Sequence, residues 1–389
     1  MTKKKIAILG STGSIGKSTI DILRKDKKNF EIVLLSANKN YKELLKQSKE
    51  FKVRNIVINN NKNYIKIKKE IKDKKINIFN NFESFNKNFK NKIDFTMSAI
   101  SGLEGLKPTL ELIKFSKTIA IANKESIICA WNLIQQRLKK YKTNFIPVDS
   151  EHFSIWSLLN KDNYNNIEEI IITASGGPFL NFKLNKLKNI KSKDAIKHPN
   201  WNMGKKISID SANLMNKVFE VIEACKFFNF NKVKYRVVIH PQSYVHSIIR
   251  FKNGLIKMIL YNADMKIPIS NTLYEKGNNF LNIKKIDTTI FNKNSFYNVN
   301  KKRFPSINLI NKILNSGPST ATIVNASNEV LVDLFLRNKI GFLDIVKTIN
   351  KIFKDKDFKK YAKRKARSVK DIKIIDNWAR LKTFTICVK

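Results

Sequence analysis

Residues 4–37 constrain the fold more than any other stretch of this chain. KKIAIL (4–9) is a short apolar run, and GSTGSIG (10–16) is a glycine-spaced loop. KSTIDILRK (17–25) then has helical periodicity, and FEIVLLSA (30–37) is a second apolar run. A strand that passes through a tight turn into a helix and returns as a strand is the opening βαβ unit of a doubly wound parallel sheet. Gly10, Gly13 and Gly16 let the backbone approach a pyrophosphate, and the helix that follows presents unpaired N–H groups to the anion. Ser11, Thr12 and Ser14 add hydroxyl donors, so a dinucleotide is the expected cofactor. An NAD site has an acid about 20 residues past the loop to hold the ribose hydroxyls. Here that place reads Ser36-Ala37-Asn38-Lys39-Asn40. A lysine attracts a 2′-phosphate that an acid would repel, so NADPH is expected rather than NADH.

The same pattern continues through NIVINN (55–60), KINIF (75–79), DFTMSAI (94–100), KTIAIAN (117–123) and NFIPVD (144–149), all candidate strands. After residue 150 it changes. EEIIITASGGPF (168–179) predicts a strand running into a glycine-rich loop, and residues 180–205 read as a long polar loop containing HPNWNMG. The spacing predicts one helix over 211–228 with Ser211 as its N-cap. Residues 233–261 read as hairpin-like strands, 270–305 as an irregular linker, and the chain beyond 305 as helices. The fold class is therefore α/β: an N-terminal Rossmann-like doubly wound parallel sheet, a central α+β catalytic domain and a C-terminal helical domain. The expected division is 1–149, 150–275 with a lid loop at about 175–206, a linker at 276–304, and 305–389.

With 389 residues, 42% of them hydrophobic, the chain can bury a substantial core. No 18-residue apolar run is present, so no membrane span is expected. The start, MTKKKIAILGSTG, does not read as a secretion signal. Three scattered cysteines, Cys129, Cys225 and Cys387, fit reduced thiols in a cytoplasm better than a disulfide framework. The net charge of +44 invites a nucleic-acid reading. Nearly all of that charge is lysine, however, interleaved with Asn and Ile, while the arginine that reads bases and phosphates bidentately is scarce. Codon bias of an A/T-rich genome accounts for this pattern, and no specific nucleic-acid partner is expected.

IPVDSEHFSIW (146–156) sets Asp149 and Glu151 between apolar residues. Burying a carboxylate is costly unless a cation or hydrogen bonds offset it. On the 211–228 helix, Asn216, Lys217 and Glu220 share one face. If Glu220 meets Asp149 and Glu151, three oxygens converge as a partial shell for Mg²⁺ or Mn²⁺. Without a cation each close pair would repel by about 4 kcal/mol at 4 Å and an effective dielectric of 20. Ser175, Ser211, Asn216 and Lys217 are good phosphate donors. His198 and Trp201 lie on the long loop, which suits a lid that excludes water. His240 and His246, six residues apart with no cysteine near them, are expected to be structural or to support site residues from behind.

Together GSTGSIG, ANKES (122–126), PVDSEH (147–152), ASGGPF (174–179), HPNWNMGKKISIDSANLMNK (198–217), HPQSYVHS (240–247) and VNASNE (324–329) resemble the 1-deoxy-D-xylulose 5-phosphate reductoisomerase family. The likeness runs in order through nearly the whole chain, most specifically at 198–224 and least at 61–92, 270–305 and the last 40 or so residues. It implies conversion of 1-deoxy-D-xylulose 5-phosphate to 2-C-methyl-D-erythritol 4-phosphate with NADPH and Mg²⁺, Mn²⁺ or Co²⁺ in the non-mevalonate isoprenoid route, by a homodimer. It implies a metal at Asp149, Glu151 and Glu220, and catalytic roles for these with Lys124 and His198. For the cofactor it implies Ser11, Thr12, Gly13, Ser14, Ile15, Asn38, Lys39, Asn40, Asn123, Lys124, Glu125 and Gly204. Substrate contacts would be Lys124, Ser150, Glu151, Ser175, His198, Trp201, Ser211, Asn216, Lys217 and Glu220. Two rivals differ in what they need. A homoserine-dehydrogenase-like NADPH enzyme would need no phosphate cradle in the second half. A nucleic-acid binder would need no small molecule and would show steep salt dependence.

Overall fold

A computed structural model describes residues 2–71, 75–159, 164–201, 203–230, 233–274 and 286–388. The chain forms two compact units. One comprises Met1–Ser126, Asn132–Phe153 and Met265–Lys284, and the other Ile127–Trp131, Ser154–Asp264 and Lys285–Lys389.

The first unit is a seven-stranded parallel sheet: β1 (Lys4–Leu9), β2 (Phe30–Ala37), β3 (Asn55–Ile58), β4 (Asn77–Phe79), β5 (Ile93–Ser98), β6 (Ser116–Ile121) and β7 (Asn144–Pro147). Their order is β4-β3-β2-β1-β5-β6-β7. Every pairing is parallel. The strands are covered on both faces, which is why they read in the sequence as continuous apolar runs rather than alternating ones. Ile6, Ile8, Phe95 and Met97 belong to the core on one side and Ala7, Leu9, Leu34 and Val57 to the core on the other. Strand order reverses between β1 and β5, and ligands of such sheets bind at the carboxyl ends there. Residues 10–16 lie at that point, between β1 and the helix Ser14–Lys25.

Gly16 shows why this loop needs glycine. A Cβ there would sit 2.3 Å from the Gly10 carbonyl oxygen, whereas one on Gly13 would meet that oxygen at 3.4 Å. Gly16→Ala should therefore cost several kcal/mol, about the scale of an overpacked core, and Gly13→Ala far less. Thermal unfolding of the two variants checks this, and equal melting temperatures would refute it.

The second unit holds a five-stranded mixed sheet of β8 (Ile167–Ala174), β9 (Lys234–Ile239), β10 (Val245–Phe251), β11 (Ile256–Leu260) and β12 (Tyr297–Asn298), ordered β11-β10-β8-β9-β12. β10 and β11 do form the expected hairpin, turning at Gly254. β9 and β10 do not: β8 lies between them, parallel to β9 and antiparallel to β10. Of the expected linker over 270–305, 270–273 are instead the last turn of the helix Lys266–Leu273, 275–285 lies outside the described residues, and Tyr297–Asn298 forms β12, paired antiparallel with β9. Helices Leu309–Ser316, Thr320–Leu336, Asp344–Phe353, Phe358–Ala362 and Val369–Val388 confirm the helical pattern beyond 305.

The single helix expected over 211–228 is in fact two. Lys205–Ala212 ends one residue past the expected start at 211, Leu214 takes a left-handed conformation (φ 61°), and Met215–Phe227 begins anew. Ser211 is thus in the last turn of the first helix, not an N-cap. The cap is local: the Asn213 side-chain oxygen accepts the Met215 N–H at 2.9 Å.

Candidate active site

In the first unit the glycine loop is held from below by β2. Ser36 Oγ accepts the Gly10 N–H at 2.9 Å, and its carbonyl accepts the Ser11 N–H at 2.9 Å. Ser11 is buried, while Gly13 and Ser14 face solvent at the start of the helix Ser14–Lys25, which has no side-chain cap. Its first N–H groups are therefore open to an anion. Asn38, Lys39 and Asn40 are all exposed at the end of β2. Asn40 also caps the next helix through the Glu43 N–H. Asn123 has a structural task. Its oxygen caps the helix Lys124–Tyr141 at the Ser126 N–H, and its amide donates to the Ile100 and Gly102 carbonyls. Ser98, at the end of β5, is buried with its hydroxyl hydrogen-bonded to that of Thr109.

At the end of β7 the chain turns into the helix Ser150–Leu158. Asp149 stands immediately before it and accepts the Glu151 N–H. This places both acids where the partial positive end of the helix favours them. Their nearest carboxylate oxygens lie within 4.8 Å of each other. Lys124 Nζ is 3.2 Å from Asp149 Oδ2, His152 Nδ1 is 3.3 Å from Oδ1, and Ser150 donates its hydroxyl to Glu151. These are hard oxygen donors with a fixed backbone and one local cation, a fit for a small divalent ion that keeps open positions for ligand.

In the second unit β8 ends at the loop Ser175-Gly176-Gly177. A Cβ on Gly177 would come within 2.9 Å of the Ala212 backbone, so only glycine lets this loop lie against the end of the helix that carries Ser211. Gly177, two residues past Ser175, therefore rests on the Ser211–Ala212 backbone. In the helix Met215–Phe227, Lys217 Nζ is 2.6 Å from Glu220 Oε2, and the Asn216 amide donates to Oε1. Opposite charges three residues apart on a helix ordinarily form a solvated surface pair. The pair exists, but Glu220 is 1% and Lys217 5% exposed. A buried pair of this kind costs desolvation that surface pairs do not.

Three features of this unit were not read from the sequence. Asp210, next to Ser211, is buried and bound by Lys206 at 3.0 Å and by Asn328 of the helix Thr320–Leu336 at 2.7 Å. The long polar loop is anchored at separate points: Leu187, Ile190 and Ala195 are buried, and just before it Arg303 donates to the carbonyl of buried Phe179. The turn His240–Ser243 contacts the far end of that loop through Asn200. The quoted motifs contain Asp210, Lys206, Asn328, Phe179, Asn200 and the 240–243 turn, while Leu187, Ile190, Ala195 and Arg303 fall outside them, and no spacing rule reveals these contacts.

His198 lies 3.0 Å from Ser175 Oγ through Nε2, while its Nδ1 accepts the N–H groups of Asn200 and Trp201. Nδ1 is therefore the unprotonated nitrogen and Nε2 carries the proton toward Ser175. Ser175 Oγ also accepts the Gly177 N–H, which leaves its own proton free to donate to a ligand. Gly204, exposed, begins the helix Lys205–Ala212. His240 and His246 are structural, as expected. His240 sits between the Ser295 carbonyl and the Tyr244 N–H, and burial pushes its pKa down. His246 stacks on Tyr261. A groove of about 490 Å³ beside Phe179, Phe182 and Lys197 contains none of the phosphate-donor residues.

A family model described as 1-deoxy-D-xylulose 5-phosphate reductoisomerase matches residues 6–131. Models of the C-terminal domains of such proteins match 145–228 and 260–382. A protein of that name from Pelagibacter ubique (strain HTCC1062) is 52% identical over 387 residues, 99% of this chain and all of the relative. One from Wolbachia pipientis wMel is 40% identical over 352 residues, 89% of each. Among solved structures, the Zymomonas mobilis reductoisomerase with NADPH superposes with a TM-score of 0.90 at 34% identity, covering 99% of both chains. A reductoisomerase with NADPH, fosmidomycin and magnesium superposes at 0.91 and 31% identity, covering 99% of this chain and 98% of that one.

Proposed function

The chain belongs to the 1-deoxy-D-xylulose 5-phosphate reductoisomerase family, and from that premise we propose how its own residues divide the work. It is an NADPH- and divalent-metal-dependent enzyme that rearranges and reduces 1-deoxy-D-xylulose 5-phosphate to 2-C-methyl-D-erythritol 4-phosphate. Residues 1–149 serve as the NADPH domain, 150–275 as the catalytic domain with the lid at about 175–206, and 305–389 as the helical domain. Asp149, Glu151 and Glu220 hold the metal. The observation that carries this is the fixed pair of acids at the end of β7, with Lys124 3.2 Å from Asp149.

When bound, the ion polarises the ketone and its neighbouring hydroxyl, and NADPH supplies the hydride to the rearranged aldehyde. The remaining steps belong to side chains. Residues 11–15 and the helix start take the pyrophosphate, and Lys39 the 2′-phosphate. Asn38, Asn40, Asn123, Glu125 and Gly204 complete the cofactor contacts. Ser175, Ser211, Asn216 and Lys217 grip the substrate phosphate. Lys124 and Ser150 orient the reacting end. His198 and Trp201 cover it and exclude water. The phosphate grip lies away from the reacting carbons, so its binding energy is available for ordering the site.

The test is NADPH absorbance with substrate and Mg²⁺, with and without EDTA. Consumption is expected only when substrate and metal are both present, to stop in EDTA, and to return with excess Mg²⁺. Undiminished consumption in EDTA would overturn the carboxylate site.

A homodimer is proposed on the exposed edge strand β11, where Ile256 and Met258, with Leu255 just before the strand, are each about half exposed. An open apolar strand edge is a pairing surface. A monomer in sedimentation at micromolar concentration would count against it. A cytoplasmic location is proposed on Cys129, Cys225 and Cys387, none of which is in a disulfide. Recovery from a membrane or secreted fraction would count against that. No helix among the described residues is long and apolar enough to cross a membrane.

A further inference from the structure

The segment from Gly176 to Lys206 is not uniform. Its first part is fastened: Phe179 packs edge-on against Phe342 at 5.4 Å, Arg303 holds its carbonyl, and Leu187, Ile190 and Ala195 are buried. From Lys197 the character changes. His198, Asn200 and Trp201 reach other parts of the second unit through three contacts. These are His198 to Ser175, Asn200 to the His240–Ser243 turn, and Trp201 edge-on to His246 at 5.9 Å. The Asn200 contact is double. Its amide donates to the Pro241 carbonyl at 2.7 Å and to Ser243 Oγ at 2.8 Å.

Ser243 has a left-handed backbone (φ 58°), a conformation in which glycine is unstrained and serine is not. Glycine there would supply no hydroxyl to Asn200. The turn is itself rigid. His240 is bonded at both ring nitrogens, and Gln242 exchanges hydrogen bonds with Ser295. A rigid turn thus presents two acceptors, one of them at a strained residue, to a single amide. That amide belongs to the residue whose own N–H fixes the His198 ring.

We infer that only the arm carrying Lys197, His198, Asn200 and Trp201 opens for substrate and that Asn200 is its latch, a positioning residue that holds His198 and Trp201 closed against the Pro241–Ser243 keeper. This rests on the phosphate and lid roles proposed above. The latch sets the closed fraction of the arm, and apparent affinity for the phosphosugar scales with that fraction.

Two hydrogen bonds of ordinary net strength give the size of the effect. Asn200→Ala should raise KM for 1-deoxy-D-xylulose 5-phosphate about tenfold, with kcat changed less and the KM for NADPH and the melting temperature unchanged. Ser243→Ala should do part of this, and the double variant no more than Asn200→Ala alone. Limited trypsin digestion reads the arm directly. Cleavage after Lys197 should quicken in Asn200→Ala, while cleavage after Lys183, Lys186 and Lys188 in the fastened part stays at the wild-type rate. A wild-type KM together with wild-type cleavage at Lys197 would sink the latch. Faster cleavage along the whole segment would sink the division between fastened part and arm. Because digestion needs no turnover, faster cleavage at Lys197 in a protein that fails to consume NADPH would keep the latch and overturn the proposed function instead.

Discussion

Asp149→Asn is expected to lower kcat about a thousandfold or more while leaving a folded protein by circular dichroism. Metal-assisted polarisation is worth several kcal/mol of transition-state stabilisation, and each 1.36 kcal/mol is tenfold in rate. Asparagine keeps the shape of the side chain and an oxygen for the Glu151 N–H, so the helix start at Ser150 survives. What it loses is the negative charge facing Lys124 and the metal. The Mg²⁺ concentration for half-maximal rate should rise at least tenfold, whereas KM for NADPH should barely move, since the glycine loop at 10–16 is untouched. Glu220→Gln should behave alike for turnover. Near wild-type rates in either variant would remove these acids from the metal shell.

Lys217→Met should produce the second large effect, and on two readouts. The ammonium has two tasks in the proposed site: it neutralises Glu220 at 2.6 Å, and it grips the substrate phosphate. Loss of a charge-assisted contact to phosphate should raise KM about tenfold to a hundredfold. Loss of the buried partner leaves the Glu220 charge uncompensated, which costs about 3 kcal/mol or more when one member of such a pair is removed. The metal-free variant should therefore unfold at a clearly lower denaturant concentration than wild type. Mg²⁺ should recover more stability in the variant than in wild type, because it replaces the missing cation beside Glu220. Equal stabilisation of both proteins by Mg²⁺ would separate Glu220 from the metal, and an unchanged KM would separate Lys217 from the phosphate.

The parallel sheet was legible because strands covered on both faces show as apolar runs, and those runs matched β1 and β2 to the residue. The glycine loop was legible because close backbone approach demands glycine at fixed spacing. The mixed sheet was harder. Nothing local to 233–261 says that β8, some sixty residues earlier, inserts between β9 and β10. The break at Leu214 was hidden for a similar reason. A leucine gives no signal for a left-handed conformation, although Asn213 is a capping residue in plain view. The candidate ligands were legible by type and spacing, while their supports were not. Ser36 under the glycine loop, Asp210 beside Ser211 and Ser243 beneath Asn200 are ordinary polar residues until the chain brings their partners to them.

One of those supports has a consequence for how this sequence can change. The helix Thr320–Leu336 contains no proposed site residue, yet its Asn328 holds Asp210. It is also mostly buried, and in a chain crowded with lysine it contains none. Its neighbour Val369–Val388 carries lysines on exposed positions. A mutational bias toward lysine codons can rewrite a surface freely but stops where a side chain must be both buried and paired. The place where lysine is missing therefore marks a part of the C-terminal region that is tied, through Asp210, to the helix carrying Ser211.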